Sequence, residues 1–203
     1  MDIPLIVLFS YFCGSIPFGL ILTKFFTDKD IRKIGSGNIG ATNVLRSGNK
    51  FLAAITLVFD VLKGYIPIAF VKIFSPEHLQ IAALIVFLGH IFPIWIKFKG
   101  GKGVATYLGV LLALSLPMGF LFIFTWITVF LIFRYSSLAS IFSSLTVLVV
   151  SFLKDSVIRA IDPNITYVEN IKLILFIFFI LIIFTHRKNI SNLKNRTEQK
   201  IKL

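Results

Sequence analysis

The sequence predicts an all-α, polytopic integral membrane protein with about seven transmembrane helices that form a single domain, 1–203. The chain has 203 residues, of which 57% are hydrophobic and 15% are charged, whereas a soluble domain carries about 25% charged residues. Its mean hydropathy is +0.91. The apolar residues also come in runs of up to about 23 residues, the length that crosses a bilayer as a helix. This composition leaves no room for a separate soluble domain.

Seven apolar segments are the predicted spans. They cover residues 3–25, 51–73, 79–96, 103–116, 118–133, 137–153 and 170–185. The fourth is the weakest because it is short and directly follows a glycine cluster, and Pro117 with Gly119 marks the turn into the fifth. An arrangement of five spans, with the fourth and seventh segments reconsidered, is the alternative and keeps the same orientation of the two ends.

The first segment is predicted to remain in the protein as a transmembrane helix. Asp2 precedes it, and the basic region that begins a cleaved signal peptide is missing from the sequence. The segment contains Cys13, the one cysteine of the chain, so the sequence offers neither an internal disulfide nor a cysteine-based zinc site. We expect Cys13 to behave as a small buried hydrophobe.

The net charge of +12 points to membrane topology and anionic ligands rather than nucleic acid, because the basic residues are spread between the apolar runs. One side holds sixteen of the 21 Lys and Arg residues if it contains Lys24, the 27–50 loop, the 97–102 turn, Arg134 and the tail after 185. The positive-inside rule then places the N-terminus outside and the C-terminus in the cytoplasm for an odd number of spans. Three polar clusters, in 35–46, 89–106 and 186–190, fall on this predicted cytoplasmic side.

The first cluster is a stretch of small and polar residues, Ser-Gly-Asn-Ile-Gly-Ala-Thr-Asn-Val-Leu-Arg, over 36–46. Its glycines leave backbone N–H groups able to point at an anion, short polar side chains add donors, and Arg46 supplies a fork suited to a phosphate. Residues 35–40 also match the G-x-G-x-x-G pattern, but a membrane span rather than a strand precedes them, which disfavours dinucleotide binding. The alternative is a flexible loop with glycine turns.

The second cluster contains Gly100-Gly-Lys-Gly103. It fails the Walker A pattern, because residue 96 is isoleucine and residue 103 is glycine, so ATP hydrolysis is disfavoured. What remains is a glycine-rich turn that carries Lys102 at the predicted start of a helix, a position that favours an anion. Flanking charge alone explains Lys97 and Lys99 but not three glycines around Lys102.

Asp60 and Lys63 are predicted to lie within the second span. A charge at the centre of a bilayer costs on the order of 3 kcal/mol, and residues three apart share a helix face, so we expect the two to pair. The alternatives are that the two residues support the polar loop from within the membrane, or that they form part of a proton path in a transporter.

The remaining candidates are histidines and small polar residues. His90 ends a span and is expected to make a structural hydrogen bond, whereas His78 is expected to be incidental. On a helical continuation of the last span, His186 and Asn189 would share a face. Ser137 and Ser140 open the sixth span, where small polar residues usually mediate helix packing.

Taken together, these residues resemble one enzyme family. The stretch 36–46, the run Gly-His-x-x-Pro at 89–93 with Phe-x-Gly-Gly-Lys-Gly-Val-Ala-Thr at 98–106, and His-Arg-x-Asn-Ile at 186–190 are similar to the acyl-phosphate-dependent glycerol-3-phosphate acyltransferases of bacterial membranes. The resemblance covers the whole chain, including Asp60-x-x-Lys-Gly and Arg134-Tyr-x-Ser-Leu-Ala-Ser. The third motif departs from the family, since Asn192 stands where arginine is usual and Arg196 where glycine is usual, while Leu193 and Glu198 match.

The resemblance implies the reaction and its surroundings. The 1-hydroxyl of sn-glycerol 3-phosphate attacks the carbonyl of an acyl phosphate, giving 1-acylglycerol 3-phosphate (lysophosphatidic acid) and phosphate, with a substrate phosphate assisting proton removal. It implies a multi-pass protein of the bacterial cytoplasmic (inner) membrane with its site facing the cytoplasm. We expect no cofactor, no metal, no nucleic acid and no obligate protein partner, and we expect acyl phosphate, glycerol 3-phosphate and membrane lipid as partners.

The resemblance also implies roles for individual residues. The group expected to bind glycerol 3-phosphate and orient its hydroxyl is Arg46, Lys102, Ser140, His186 and Asn189. Ser36, the amides of the first loop and those of Gly100 to Gly103 would bind the acyl phosphate and stabilise the developing oxyanion. Ser36 joins those five as a catalytic candidate. The remaining substrate-binding candidates are Gly37, Asn38, Gly40, Thr42, Asn43, His90, Gly100, Gly101, Gly103, Thr106 and Arg187.

Two other classes of protein were weighed against this enzyme. A small transporter of phosphorylated solutes would be built from two related halves with broken helices, and no such internal symmetry is visible in the sequence. A structural membrane scaffold would not need three clustered motifs of this kind.

Overall fold

The computed structural model describes residues 2–153, 156–157, 160, 162 and 168–201, with the backbone alone at 168–170. Over these residues the protein consists of α-helices, loops and three single turns of 3-10 helix, Ile31–Lys33, Pro76–His78 and Ile94–Ile96. The all-α class predicted from the sequence is therefore confirmed. The chain forms two compact units, Met1–Val110 and Leu111–Leu203.

The first unit contains helices α1 to α5 and most of α6. Their bounds are Ile3–Ser15 (α1), Phe18–Thr27 (α2), Ala41–Arg46 (α3), Lys50–Phe74 (α4), Leu79–Ile91 (α5) and Val104–Leu114 (α6). Asn49 caps α4, since its side chain accepts a hydrogen bond from the backbone N–H of Leu52 over 2.9 Å.

The second unit continues from the end of α6, and its described residues include four longer helices. Their bounds are Leu116–Phe133 (α7), Ser136–Ser151 (α8), Val168–Thr185 (α9) and Arg187–Lys194 (α10). α7 begins two residues before the predicted fifth segment, 118–133. Ser115 caps this helix, and Pro117 is compatible with its first turn. The hydroxyls of Ser140 and Ser143 turn back onto carbonyls of α8, which removes unpaired polar atoms from this apolar helix.

The predicted spans coincide with apolar helices, one helix for each span except the first, which contains α1 and α2. In the described part of the chain, four segments are long and apolar enough to cross a membrane, namely Ile3–Thr27, Lys50–Phe74, Pro76–Ile96 and Leu116–Phe133. A fifth is the pair Ile171–Thr185 and Arg187–Lys194, bent by 59°. Two helices are shorter, α6 with 11 residues and α8 with 16. The protein is thus a multi-helix membrane protein.

The first span is broken, which the sequence analysis did not anticipate. α1 ends at Ser15 and α2 begins at Phe18, with Ile16 in an extended conformation at ψ 117°. Pro17 explains the break, because proline has no backbone N–H and disfavours helical geometry in the residue before it.

Glycines let the helices of the first unit approach closely. Gly14 of α1 lies against the Val86 carbonyl of α5, and Gly64 of α4 lies against the Thr106 carbonyl of α6, with no space for a Cβ atom at either glycine. Small residues at helix crossings are the usual way in which membrane helices pack. These contacts join α1 to α5 and the middle of α4 to the start of α6, and the second glycine-rich motif lies between α5 and α6.

Candidate functional site

The first motif, 36–46, is an ordered turn followed by a short helix. Its second half, Ala41–Arg46, is α3 rather than part of a flexible loop. Gly35 and Gly37 have φ of 54° and 71°, and a Cβ at residue 35 would lie 2.5 Å from Asn43 Oδ1. Glycine is therefore required in this turn both for its backbone conformation and for space.

Asn43 holds the first motif together. Its Nδ2 lies 3.0, 2.9 and 2.7 Å from the carbonyl oxygens of Ile31, Ile34 and Asn38, and its Oδ1 accepts the backbone N–H of Ser36 over 2.9 Å. The residue is 1% exposed. Asn43 and the amides of this loop were predicted to donate to a ligand, but the Asn43 amide and the Ser36 N–H both make hydrogen bonds within the turn.

Arg46 ends α3 next to this turn. A Cβ at Gly35 would lie 3.5 Å from both Cβ and Cδ of Arg46, so the arginine stem passes beside the glycine turn. Asn38 orders the other side, since its Oδ1 accepts the N–H of Gly40 over 3.0 Å. Ser36 is exposed and Thr42 is half-buried. The motif therefore combines an exposed and a half-buried hydroxyl with an arginine whose stem lies against the ordered turn.

The frame of the first motif is a small apolar cluster. Its buried members are Ile31, Ile39, Val44, Leu52 and Ala53. The Ile39 carbonyl also packs against Gly19 of α2, where no Cβ would fit. The motif is thus fixed to both α2 and the start of α4.

The second motif folds back onto the end of α5. The N–H of Gly100 donates to the Ile91 carbonyl over 3.0 Å and the N–H of Gly101 to the His90 carbonyl over 3.1 Å. Gly103 has φ of 83°, and α6 begins at the next residue. The predicted glycine turn at a helix N-terminus is confirmed, with the half-buried Lys102 in it.

The His90 side chain packs against this turn. It is 4% exposed, and its Nδ1 lies 3.0 Å from Thr106 Oγ1. Gly101 lies so close to the His90 ring that a Cβ would overlap Nε2. The expected structural hydrogen bond of His90 is confirmed, and both His90 and Thr106, predicted to contact substrate, use polar atoms to pair with each other.

Two aromatic side chains tie the connection between α5 and the glycine turn to α1. Trp95 Nε1 donates to Ser15 Oγ over 2.8 Å, and the Tyr11 hydroxyl donates to the Phe92 carbonyl over 2.8 Å. The sequence analysis did not identify these residues, because the pairs are separated by about 80 positions and no local pattern joins them.

Asp60 and Lys63 form the predicted pair. Lys63 Nζ lies 2.7 Å from Asp60 Oδ1, and each side chain is 3% exposed. Lys63 Nζ also donates to the Ile16 carbonyl over 2.7 Å, at the break in the first span.

In the second unit, Ser140 and His186 are both buried. The Ser140 hydroxyl donates to the Ser136 carbonyl over 2.8 Å and accepts the indole N–H of Trp126 over 3.1 Å. His186 lies at the 59° bend between α9 and α10, so α10 is not a straight continuation of the last span. Its Nδ1 is 2.8 Å from the Ile182 carbonyl.

Asn189 lies beside a carboxylate near the end of the chain. Its Nδ2 donates to Glu198 Oε1 over 2.6 Å, and that oxygen also accepts the Ser137 hydroxyl over 3.1 Å. Glu198 Oε2 accepts from Asn192 Nδ2 over 3.3 Å. Glu198 was given no role from the sequence, although its agreement with the family pattern was a usable signal. Arg187, a predicted substrate contact, is exposed and stacks on the Phe184 ring at 4.5 Å.

Apolar helices of spanning length, with two glycine-rich motifs that each carry a basic residue, define the class as a multi-helix integral membrane protein. The chain belongs to the glycerol-3-phosphate acyltransferase family, whose sequence pattern matches residues 4–196. The resemblance stated from the motifs is therefore confirmed.

Relatives and solved structures agree with this assignment. The chain is 49% identical to the glycerol-3-phosphate acyltransferase of Pelagibacter ubique over 100% of both chains, and 47% identical to that of Brucella anthropi over 96% of this chain and 91% of the relative. It is similar to the crystal structure of PlsY (YgiH), an integral membrane glycerol 3-phosphate acyltransferase. The glycerol 3-phosphate form matches with a TM-score of 0.87 and 34% identity, over 98% of this chain and 95% of that one. The lysophosphatidic acid form matches over the same shares with a TM-score of 0.85.

Proposed function

We propose that this protein transfers an acyl group from an acyl phosphate to the 1-hydroxyl of sn-glycerol 3-phosphate. The products are 1-acylglycerol 3-phosphate (lysophosphatidic acid) and inorganic phosphate, the first acylation of phospholipid synthesis. The observation that carries this proposal is the family match along nearly the whole chain. The two solved forms of PlsY, named for glycerol 3-phosphate and lysophosphatidic acid, correspond to the acceptor and the product.

The first motif is suited to the phosphate of a substrate. Exposed Ser36 and half-buried Thr42 offer hydroxyls in the same motif as Arg46, whose guanidinium can bind two phosphate oxygens at once. Because the Asn43 amide holds the turn, we assign Asn43 the ordering of these donors. Gly37, Asn38 and Gly40 give the turn its shape.

The second motif is suited to the acyl phosphate and to the charge that develops on its carbonyl oxygen. Backbone N–H groups and Lys102 at the start of α6 add to the positive end of the helix. Donors that are already held in place stabilise an oxyanion without reorganisation. The hydrogen bonds of Gly100 and Gly101 to the end of α5 supply this rigidity, so the Gly103 and Lys102 groups are the better candidates for direct contact.

Asn189 and Ser140 are suited to orient the glycerol hydroxyl. Since Nδ2 of Asn189 is held by Glu198, its Oδ1 is left to accept a hydrogen bond from that hydroxyl. Ser140 donates to the Ser136 carbonyl, so it would bind a substrate as an acceptor or after release of that bond. His186 would contribute from the bend between α9 and α10.

The chemical step is a direct displacement. The hydroxyl oxygen forms a bond to the carbonyl carbon, the bond from that carbon to the phosphate oxygen breaks, and a substrate phosphate takes the hydroxyl proton. Phosphate is a good leaving group of this mixed anhydride, so no covalent acyl-enzyme is required.

The protein is placed in the cytoplasmic (inner) membrane of a bacterium, with seven spans, the N-terminus outside, and the three polar motifs bordering the cytoplasm. The distribution of basic residues supports this orientation; α1 and α2 together would form the first span, and α4 to α9 would form one span each. Reporter fusions after Leu203 and after Phe74 test it. Activity of a cytoplasmic reporter at Leu203 and of a periplasmic reporter at Phe74 is expected, and the reverse pattern would contradict the orientation.

The function is tested with purified protein, glycerol 3-phosphate and either palmitoyl phosphate or palmitoyl-CoA. Lysophosphatidic acid and phosphate are expected from palmitoyl phosphate alone. Product from the CoA donor alone, or no product, would overturn the donor assignment. Lys102→Ala should raise KM or lower kcat, while Lys99→Ala, an exposed lysine in the same turn, serves as the matched control.

A further inference from the structure

A buried ion pair lies within the second span of the first unit. Asp60 and Lys63 are each 3% exposed and 2.7 Å apart. Buried ion pairs give little net stability, because the cost of removing two charges from water offsets their attraction. Ionisable residues inside membrane spans are therefore expected to serve a specific purpose.

The contacts of Lys63 indicate the first part of this purpose. Its Nζ donates to the Ile16 carbonyl over 2.7 Å and lies 5.7 Å from the centre of the Phe18 ring. Ile16 and Phe18 flank Pro17, so Lys63 holds both sides of the break between α1 and α2. The Ile16 carbonyl lies between the two helices, where it accepts both the N–H of Phe18 over 3.1 Å and the buried ammonium of Lys63.

The position of α2 in turn sets the first motif. Gly19 of α2 lies directly against the Ile39 carbonyl, at a distance that excludes a Cβ. Ile39 also belongs to the apolar cluster that frames the motif. A change in the angle between α1 and α2 would therefore move the Ser36–Arg46 stretch.

Gly64, which follows Lys63 in the chain, contacts a residue that holds the second motif in place. Gly64 lies against the Thr106 carbonyl, the Thr106 hydroxyl pairs with His90 over 3.0 Å, and the His90 carbonyl accepts the N–H of Gly101. A continuous series of packed groups thus runs from α4 to the Gly100–Gly103 turn.

We propose that Lys63 is a positioning residue that, together with its neighbour Gly64, holds the two glycine-rich motifs in a fixed register on helix α4. The inference rests on the proposed function, because two motifs that bind phosphate groups of one reaction must keep their spacing to within fractions of an ångström. Displacement by about 1 Å in such a site costs about 100-fold in rate.

The test uses the double variant Asp60→Leu/Lys63→Met in the full-length protein. Lys63→Met alone would leave Asp60 as an unpaired buried charge and could fail to fold, whereas the double variant removes both charges and keeps the volume. Lys72→Met, an exposed lysine on the same helix, is the control. We expect the double variant to fold, with KM raised for both substrates and kcat/KM lowered by on the order of tenfold or more.

Two readouts separate positioning from a general loss of folded protein. A purely structural role would lower the active fraction and leave both KM values unchanged, and that result would overturn the proposal. Hydrogen exchange should become faster in both 36–46 and 100–103, but not in the Lys72→Met control. Unchanged exchange in either segment would also overturn it.

Asp60→Asn keeps Lys63 and its hydrogen bond to Ile16, but it leaves a buried ammonium without its carboxylate, so the folded fraction is measured together with the kinetics. We expect KM values close to wild type for this variant, and a loss as large as that of the double variant would contradict positioning through Ile16. If the wild-type protein made no product from acyl phosphate, the proposed function would fail. The hydrogen-exchange comparison would still decide the role of Lys63.

Discussion

Asn189 Nδ2 and Glu198 Oε1 are 2.6 Å apart, and this contact fixes which end of the Asn189 amide faces its surroundings. The same carboxylate oxygen accepts from Ser137 at the start of α8. Glu198, which had no role predicted from the sequence, thus orients Asn189, which was predicted to bind substrate.

Replacement of Glu198 tests this orientation. Hydrogen bonds to charged groups contribute about 1.5–3 kcal/mol, so Glu198→Ala should lower kcat/KM for glycerol 3-phosphate by about 10- to 100-fold. Glu198→Gln, which keeps one acceptor oxygen, should lose less. Steady-state kinetics with each substrate varied in turn provide the measurement, with the exposed Lys194→Ala as control. Equal loss for both substrates in proportion to unfolded protein would contradict a role in orienting Asn189.

Arg196 has a backbone conformation that suits glycine. Its φ is 59°, in the left-handed region that costs a residue with a Cβ about 1–2 kcal/mol. Glycine loses about 0.5–1 kcal/mol more in conformational entropy on folding. Arg196→Gly is therefore expected to stabilise the protein by up to about 1 kcal/mol, seen as a rise in Tm of about 2–4 °C.

The matched variant at this position is Arg196→Val. The turn still requires a positive φ at this residue, and a β-branched side chain strongly disfavours that conformation. Arg196→Val should therefore lower Tm. A higher Tm for Arg196→Val than for Arg196→Gly would show that the turn before Glu198 is not under this constraint.

Hydropathy was sufficient to place the helices, since runs of about 20 apolar residues have few alternatives in a membrane protein. The pairing of Asp60 with Lys63 could also be predicted, because a three-residue spacing on a helix fixes which side chains meet. Pro17 was a visible signal for the break in the first span. That Lys63 would satisfy the Ile16 carbonyl could not be foreseen, because it depends on how α4 packs against α1 and α2.

The glycine-rich motifs could be located in the sequence. Which of their residues would contact a ligand, and which would hold the motif in place, could not be predicted. Asn43 and Ser36 are equally polar in the sequence, yet one is buried among carbonyls and the other is exposed. His90 and Thr106 are 16 positions apart and meet because the glycine turn folds back onto α5. Such assignments depend on tertiary contacts that residue type and spacing do not encode.

Gly101 tests the rigidity of the second motif. A Cβ at this residue would overlap the His90 ring, so Gly101→Ala should displace the turn and lower kcat/KM by on the order of 100-fold. The backbone N–H remains, so the effect comes from position rather than from a lost donor. Lys99→Ala, at an exposed residue of the same connection, is the control for a substitution to alanine without a steric overlap.

A double-mutant cycle with His90→Ala shows whether the overlap is the cause. If Gly101→Ala acts by pushing against the ring, the two substitutions will be non-additive, with less loss in the double variant than the sum of the single losses. Additive losses would place the effect of Gly101→Ala elsewhere.

Arg46→Lys tests the guanidinium of the first motif. Lysine keeps the charge but replaces the planar fork by a point charge, so a phosphate held by two parallel hydrogen bonds loses one of them. We expect kcat/KM to fall by about tenfold, on the basis of about 1.4 kcal/mol for one such bond, with little change in Tm.

Arg32→Lys is the control in the same connection, because Arg32 pairs with Asp30 over 2.7 Å at the surface. Hydrogen bonding to Arg32 lowers the pKa of Asp30 to about 2, so this carboxylate is ionised in the wild-type protein at any assay pH near neutrality. Full activity of Arg46→Lys would exclude bidentate binding, and equal losses in the two variants would assign the effect to the connection as a whole.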